Sequence, residues 1–345
     1  MKEIKLKFVG FYKEFEPKDS VLWRTLEKYY DVKIDDNPDY IICGCFDSEM
    51  NFTNYPQVRI FISGENFAPD FNLVDYAISP YPISFADRSL YMPQFTEGLE
   101  TRLDYFENPR HYDTDFLKTK TRFANFIASH ESEYGIRGDF MKKLSEYKRV
   151  DSVGSYLNNT EDGKTVNFKN SSKIDFQRSC KFSLCFESTS NLGFCTEKLA
   201  DAFFAETIPV YYGDPDVGKI FNTKAFINCH DYKDFDEVIE KIKELDNNDD
   251  AYLAMMNEPI FNNQHFVGQK FEEYENFVRH IFNQPLEEAF RRSRVYAPRR
   301  YENFIRRSNK YSKQTKKLAR RDEILNIIYE AIYGLYRKIF KRSNK

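Results

Sequence analysis

Residues 186–213 read FESTSNLGFCTEKLADAFFAETIPVYYG, and this stretch decides the fold of the 345-residue chain. Apolar runs at 182–186 and 208–212 predict two buried strands. Between them, Thr196 is the expected N-cap of a helix. A strand, a helix and a second strand in this order form a βαβ unit, and such a unit predicts a parallel sheet.

The first turn of the predicted helix carries Glu197 and Lys198. A helix N-terminus leaves backbone N–H groups unpaired and carries about half a positive charge, so it favours a bound pyrophosphate. Lys198 adds a full charge, and a carboxylate such as Glu197 suits the hydroxyls of a ribose. The pair indicates a nucleotide site; the alternative is a solvated first turn.

The same alternation extends on both sides of this unit. Ahead of it, strands are predicted at 4–9, 39–46, 57–62 and 74–78, with a helix at 20–30. Later strands are predicted at 122–129, 149–153, 180–186 and 224–228, with helices from about 138, at 234–245 and at 270–282. We therefore expect an α/β protein with two doubly wound domains, 1–118 and 119–285, whose ligands lie beyond the carboxyl ends of the strands.

The C-terminal tail, 286–345, differs in charge from the body of the chain, residues 1–285. The chain has a net charge of -3, yet residues 289–345 hold 18 basic and 4 acidic residues, which leaves -17 on the rest. We expect 291–321 to be weakly ordered alone and removable, from about residue 290, without loss of chemistry. Apolar residues at helical spacing follow at Ile324, Ile328, Ile332, Leu335, Tyr336 and Ile339. This pattern favours a helix on an anionic membrane surface; packing on the body or on a second copy, as in a homodimer, is the alternative, and nucleic acid is the least favoured partner.

Other sequence patterns indicate the redox state of the cysteines and the cellular location. The six cysteines form no C-x-x-C pair and sit mostly in apolar runs, so we expect reduced core residues. The N-terminus has no signal-peptide pattern and no apolar run approaches the length of a membrane span. We therefore expect a cytoplasmic protein that is peripheral to the inner membrane. Residues 155–172 are polar and predict a surface loop.

Several motifs recur together with the opening stretch. They are SGENFAPDFNLVDYAIS at 63–79, FADR at 85–88, TRFANFIAS at 121–129, KFSLCFES at 181–188 and YYGDPDV at 211–217. The chain resembles the alpha-1,3-fucosyltransferases of glycosyltransferase family 10, particularly bacterial enzymes that synthesise Lewis antigens, over most of residues 1–285. The resemblance implies the glycosyltransferase-B architecture, with an N-terminal acceptor-binding domain and a C-terminal GDP-fucose-binding domain.

Sugar transfer needs a base for the acceptor hydroxyl and cations for the departing diphosphate. Glu65 follows the strand predicted at 57–62, and the resemblance implies that it is the general base. Asp70 and Asp75 are rival carboxylates. The residues alone also allow Glu65 to cap the turn around Gly64.

Donor contacts are implied for seven residues that match the family motifs. They are Ser129, Arg137, Ser188, Phe194, Thr196, Glu197 and Lys198. Arg137 would hold the diphosphate through its planar fork, although it could instead be an ordinary surface arginine. Ser129 and Ser188 could equally be turn residues. The chain departs from the family at Phe194, where relatives have tyrosine, and at Ser188, where asparagine is common.

The implied reaction is inverting transfer of L-fucose from GDP-fucose to the 3-hydroxyl of GlcNAc in an N-acetyllactosamine-type acceptor, in surface glycan synthesis of the Lewis x type. The alternatives are alpha-1,4 or other acceptor specificity, and a non-catalytic glycan-binding protein on the same fold. No metal or cofactor is expected to be required, although a divalent cation could stimulate the reaction. Asp214 and Asp216 have the spacing of a metal-binding motif, but we expect them to form a turn. We expect the aromatic residues of 81–106 to be core residues more than residues that stack on sugar rings.

Overall fold

Two parallel sheets form the framework of the molecule. The computed structural model describes residues 1–47, 49–161, 163–165 and 172–342; for 331–342 and for some residues of 312–330 and position 133 it describes only the backbone. The first sheet contains β1 (Lys2–Val9), β2 (Tyr30–Ile34), β3 (Tyr40–Cys43), β4 (Val58–Ile62), β5 (Tyr76–Ser79) and β6 (Ser89–Tyr91). The second contains β7 (Arg122–Phe126), β8 (Val150–Ser152), β9 (Cys180–Phe186), β10 (Ile208–Tyr212) and β11 (Ile227–Asn228).

Helices connect these strands and cover both faces of the sheets. They are α1 (Val21–Glu27), α2 (Leu103–Glu107), α3 (Thr114–Leu117), α4 (Ile136–Ser145), α5 (Ser172–Arg178), α6 (Glu197–Phe204), α7 (Phe235–Asp246), α8 (Asp249–Met256), α9 (Phe266–Asn283), α10 (Leu286–Ala289) and α11 (Tyr296–Arg342). The predicted loop at 155–172 lies partly outside the described residues, and its last residue begins α5.

The strand orders are β2-β1-β3-β4-β5-β6 and β11-β10-β9-β7-β8, with every neighbouring pair parallel. Central strands such as β3 and β9 are nearly continuous apolar runs because both of their faces are covered. The expected pair of doubly wound sheets is confirmed. The prediction missed two strands, β2 and β6, and both lie at an edge of the first sheet.

Each sheet is covered in part by a segment from elsewhere in the chain. Helix α9 was expected to close the second domain, but its buried residues Tyr274, Val278 and Ile281 pack in the core of the first sheet. That assignment was wrong, because a helical apolar period does not specify which sheet it covers. Conversely, Phe95 and Phe106, which follow the first sheet in the chain, pack beside α6 in the core of the second sheet.

The basic segment after α10 is ordered by ion pairs with the first sheet. Residues 291–321 were expected to be weakly ordered alone; in the structure they contact the body, and most of them belong to α11, which begins at Tyr296 and continues to Arg342. Arg292 is 6% exposed and pairs with the fully buried Asp75. Arg59, 1% exposed, pairs with Glu302 at 2.6 Å. No local sequence pattern reveals such long-range pairs.

The part of α11 that carries the apolar stripe is helical, as predicted. The side chains of Ile332, Leu335, Tyr336 and Ile339 lie outside the described residues. Within the described part of the chain, no helix combines the length and apolar character needed to cross a bilayer. All six cysteines are free, and all but Cys45 are buried.

Candidate active site

A cavity of about 320 Å³ lies beyond the carboxyl ends of β7 and β9. Five of the donor-site candidates line it: Ser129, Arg137, Ser188, Glu197 and Lys198. They come from the loop after β7, the first turn of α4, the loop after β9 and the first turn of α6. Parallel strands place these loops at one edge of the sheet, so residues distant in sequence share one cavity.

The entrance to α6 is built around a buried carboxylate, Glu187. Thr196 is the N-cap residue, as predicted, but its hydroxyl does not cap the helix. Instead the Thr196 hydroxyl donates to Glu187 at 2.8 Å, and the Thr196 backbone N–H donates to the same carboxylate at 2.8 Å. Glu187 is 1% exposed and therefore needs these partners. The sequence analysis missed Glu187, although it directly follows β9.

Lys198 completes this network and stays charged. Its Nζ atom donates to Glu187 at 2.9 Å and to the Thr196 hydroxyl at 2.7 Å. Burial opposes the charge, but Glu187 and Glu197 outweigh it and raise the pKa of Lys198. Burial alone would raise the pKa of Glu197, yet Lys198 and Lys173 more than offset it and lower that pKa. The cavity wall therefore presents an ammonium and a carboxylate, both ionised at neutral pH.

Arg137 is a buried residue at the base of the cavity rather than a surface arginine. It is 5% exposed, and its guanidinium donates to the carbonyl oxygens of His130 at 2.9 Å and Phe186 at 3.1 Å. Its Nε atom is buried and has no acceptor among the described residues. Burial lowers the pKa of Arg137, and the carboxylates of Glu187 and Glu131 oppose that effect. An unused guanidinium donor beside a cavity suits an anionic ligand.

Two donor-site candidates do not reach this cavity. Phe194 and Thr196 are both buried, and neither lines it. Phe194 belongs to a turn that approaches the segment after β5 of the first sheet. The approach is close: a Cβ atom at Gly193 would lie 2.4 Å from Pro82. Gly193 also has a left-handed φ of 78°, so glycine is required there for two reasons.

Glu65 lines a second cavity, of about 650 Å³, beyond the carboxyl end of β4. Its carboxylate is exposed to this space and has no hydrogen-bond partner in the described ranges. Its backbone is held: the N–H donates to the Ser63 hydroxyl at 3.0 Å, and the carbonyl accepts from the N–H of Phe67 at 2.7 Å. The rival carboxylates have structural partners elsewhere. Asp70 accepts from the Tyr301 hydroxyl at 2.8 Å, and Asp75 pairs with Arg292.

The segment 92–98 connects the two cavities. Phe95 is fully buried against α6, and its N–H donates to the carbonyl of Cys195 at 3.0 Å. Gln94 and Glu97 line the Glu65 cavity and are joined by a hydrogen bond of 3.0 Å. Burial raises the pKa of Glu97, and the nearby charge of Glu197 raises it further. Because α6 carries Glu197 and Lys198 of the first cavity and this segment lines the second, the packing of Phe95 on α6 places the two cavities side by side.

Other sequence expectations can be compared with these cavities. Of the aromatics of 81–106, Phe95 and Phe106 are core residues, as expected, whereas Phe85 is 44% exposed. The aromatic wall of the Glu65 cavity comes instead from the N-terminal motif FVGFYKEF at 8–15. Asp214 accepts from the N–H of Asp216 at 2.9 Å, as expected for a turn. In the described part of the chain, no group of three His, Cys, Asp or Glu residues has the geometry to hold a metal ion.

Two parallel sheets with adjoining cavities at their carboxyl ends are the arrangement of the glycosyltransferase-B fold class, and comparisons with known proteins identify the family. Residues 6–97 match the alpha-(1,3)-fucosyltransferase FucT N-terminal domain, and residues 117–258 match the C-terminal part of glycosyltransferase family 10 (fucosyltransferase). The chain belongs to this family of fucosyltransferases.

Individual relatives give the extent of the similarity. The Helicobacter pylori alpha-(1,3)-fucosyltransferase FucT is 34% identical in an alignment of 284 positions, and that alignment covers 72% of this chain and 58% of that protein. Human 4-galactosyl-N-acetylglucosaminide 3-alpha-L-fucosyltransferase 9 is 28% identical over 143 residues, 41% of this chain and 38% of that protein. The chain thus spans less than two thirds of the length of these relatives.

Solved structures extend the match to the fold. A crystal structure of an alpha1,3-fucosyltransferase superposes with a TM-score of 0.66 at 29% identity, covering 81% of this chain and 90% of the other. A crystal structure of alpha1,3-fucosyltransferase with GDP-fucose superposes with a TM-score of 0.63 at 29% identity, covering 80% and 91%.

Proposed function

We propose that this protein is an inverting alpha-1,3-fucosyltransferase that moves L-fucose from GDP-fucose to the 3-hydroxyl of GlcNAc in an N-acetyllactosamine-type acceptor. The observation that carries the proposal is the adjoining of two cavities. One contains Arg137, Lys198 and Glu197, which suit a nucleotide diphosphate. The other contains the Glu65 carboxylate, which has no partner in the part of the chain that the structure describes. A relative solved with GDP-fucose and relatives named for the 3-position of a galactosyl-N-acetylglucosaminide support the choice of donor and acceptor.

On the donor side, we assign the diphosphate to Arg137 and Lys198 and the ribose hydroxyls to Glu197. In the described ranges the buried Nε–H of Arg137 has no acceptor, so a shift of this side chain toward the cavity lets a phosphate oxygen accept from it without breaking an existing bond of that atom. Lys198 is held in place by Glu187, and a fixed cation stabilises charge on the leaving group without a reorganisation cost. Ser129 and Ser188 are exposed at the same cavity and supply further donors. Phe194 and Thr196 act by packing and by holding Glu187.

In the reaction, Glu65 takes the proton of the acceptor hydroxyl as its oxygen attacks the anomeric carbon of fucose. The bond from that carbon to the phosphate oxygen breaks, and GDP leaves with the electron pair. A single displacement on a beta-linked donor gives an alpha linkage. We place the acceptor with the part of the chain from 1 to 118 and the donor with 119–285, with α9 reassigned to the first sheet.

We also propose that α11 brings the enzyme to an anionic membrane surface. Ile324 and Ile328 of the apolar stripe and the neighbouring Leu325 each expose about half of their surface. Basic residues flank this stripe, and each contributes about 1 kcal/mol near anionic lipid.

The experiment that tests the proposed reaction is a product assay by mass spectrometry. Purified protein is incubated with GDP-fucose and with N-acetyllactosamine, lactose or the type 1 disaccharide. We expect one deoxyhexose on N-acetyllactosamine, one GDP released per product, and a 1,3 linkage on fragmentation. The Arg137→Lys variant keeps the charge but loses the fork, so it should bind GDP more weakly. Wild-type protein that binds GDP but fucosylates no acceptor of this panel would contradict the acceptor assignment.

A further inference from the structure

The Glu65 cavity has an unusual distribution of charge. Six carboxylates line it: Glu14, Glu16, Asp19, Glu65, Glu97 and Glu100. Arg24 is the one basic residue that lines it in the described ranges, and it is paired with Glu100. Among the described lining residues, six carboxylates and one arginine leave a formal charge of five negative units on the cavity wall.

Aromatic rings form another wall of the same cavity. Phe11 and Phe15 stack at 4.2 Å between ring centroids, and Tyr12 and Phe46 meet edge to face at 5.8 Å. Tyr12 and Phe46 each expose about half of their surface. Exposed ring faces next to hydrogen-bond acceptors suit a sugar, which offers apolar C–H faces and hydroxyl donors.

From this charge distribution we infer that the acceptor cavity selects against acidic glycans: its acceptor is an uncharged oligosaccharide, and sulfated or sialylated forms of the same acceptor are rejected by electrostatic repulsion. This inference rests on the proposed function, because it assigns the acceptor to the Glu65 cavity. It adds a specificity that neither the family assignment nor the proposed linkage contains.

The behaviour of Glu97 is consistent with a negative potential in the cavity. Burial raises the pKa of Glu97, and the charges of Glu197 and Glu100 raise it further. An anionic group on an acceptor would meet the same repulsion as the Glu97 carboxylate. The donor brings two more negative charges, on its diphosphate, to the adjoining cavity, so an anionic acceptor is disfavoured further.

The size of the effect follows from Coulomb's law. Five charges at roughly 10 Å from an anionic substituent, in a water-like dielectric, reduce kcat/KM about tenfold at about 0.01 M salt, where the Debye length is about 30 Å. At about 0.15 M salt the Debye length falls to about 8 Å, and the penalty falls to roughly two- to threefold.

The test compares three acceptors under identical donor conditions: N-acetyllactosamine, its 3′-O-sulfated form and its 3′-O-methyl form. The methyl group controls for bulk at the same position, and the ratio of kcat/KM between acceptors cancels salt effects on the donor. We expect the sulfated acceptor to lose about tenfold relative to the methylated one at low salt, and two- to threefold at 0.15 M. A ratio near one at low salt, or a ratio that does not change with salt, overturns the inference.

A double variant, Glu14→Gln with Glu16→Gln, provides a matched control, because it removes two charges without touching Glu65 or the donor cavity. The readout is the ratio of kcat/KM for the sulfated acceptor to kcat/KM for the methylated acceptor, which cancels any loss that both acceptors share, and this ratio should rise about two- to threefold at low salt. An unchanged discrimination in the variant counts against the inference. Equal use of all three acceptors by the wild type overturns only the inference, whereas no product with any acceptor overturns the proposed function and the inference with it.

Discussion

Cutting the chain after Phe290 should destabilise the first sheet, although the removed segment looks like a dispensable tail. The Asp75 carboxylate accepts from the backbone N–H of Arg59 at 2.7 Å, from the N–H groups of Arg291 and Arg292 at 2.8 Å each, and from the Arg292 guanidinium. The cut removes three of these four donors. It leaves a fully buried carboxylate with one hydrogen bond.

The same cut also removes Glu302, the ion-pair partner of the buried Arg59. Arg59 would keep its bonds to the carbonyl oxygens of Thr53, Tyr55 and Leu73, so the loss of Asp75's partners dominates. Removing one partner of a buried pair costs about 3–5 kcal/mol. Since a protein of this kind is stable by about 5–15 kcal/mol, the cut removes a large fraction of the total.

Urea unfolding can measure this, because the chain has a single tryptophan, Trp23, buried in α1 beside the first sheet. With a slope of about 2–3 kcal/mol per molar urea, the midpoint should fall by about 1–2 M. A chain ending after Lys313 is the control, since it keeps Arg292 and Glu302. The full-length Arg292→Met variant should reproduce most of the loss. Equal midpoints for the two truncated chains would refute the role of these pairs.

Three further predictions concern single residues. Lys198→Gln should weaken GDP binding about 10- to 100-fold by calorimetry, since it removes a charge-assisted bond; unchanged affinity would contradict the assignment. Burial lowers the pKa of Lys120 to about 8, so between pH 8 and 10 the unfolded chain binds more protons than the folded protein. The free energy of unfolding should therefore rise with pH in this range by about 1–3 kcal/mol relative to the Lys120→Met variant. Parallel pH profiles of the two free energies would contradict this. Gly193→Ala should lower both the unfolding temperature and the affinity for GDP-fucose, because its new methyl group would clash with Pro82. Gly163 has a similar φ and no described atom near its Cβ position, so Gly163→Ala should lower the unfolding temperature only through backbone strain. Equal falls in unfolding temperature for the two variants would contradict the clash.

The local signals of the sequence were sufficient for the central βαβ unit. Strands β9 and β10 and the start of α6 lie where the apolar runs and Thr196 predict them. The edge strand β2 escaped prediction because only the first of its five residues is buried, so it has little apolar pattern. The three-residue β6 is too short to show a period.

What could not be predicted depends on contacts between distant residues. The stability of the first part of α11 comes from Arg59 and Asp75, more than 200 positions earlier in the chain. The role of Glu187 depends on Thr196 and Lys198 meeting it across a turn. For Glu65, the sequence indicated a position at a strand end, but only the fold shows that Asp70 and Asp75 are committed to other partners.

The most direct test of the account compares Glu65→Gln with Asp70→Asn. Turnover of GDP-fucose and N-acetyllactosamine is measured for each variant together with the GDP dissociation constant. We expect Glu65→Gln to lose at least about a hundredfold in kcat, as is typical for a general base, while GDP affinity stays within about twofold. Asp70→Asn should keep wild-type turnover. A Glu65→Gln protein that retains most of its activity, or an Asp70→Asn protein that loses it, would contradict the proposed mechanism.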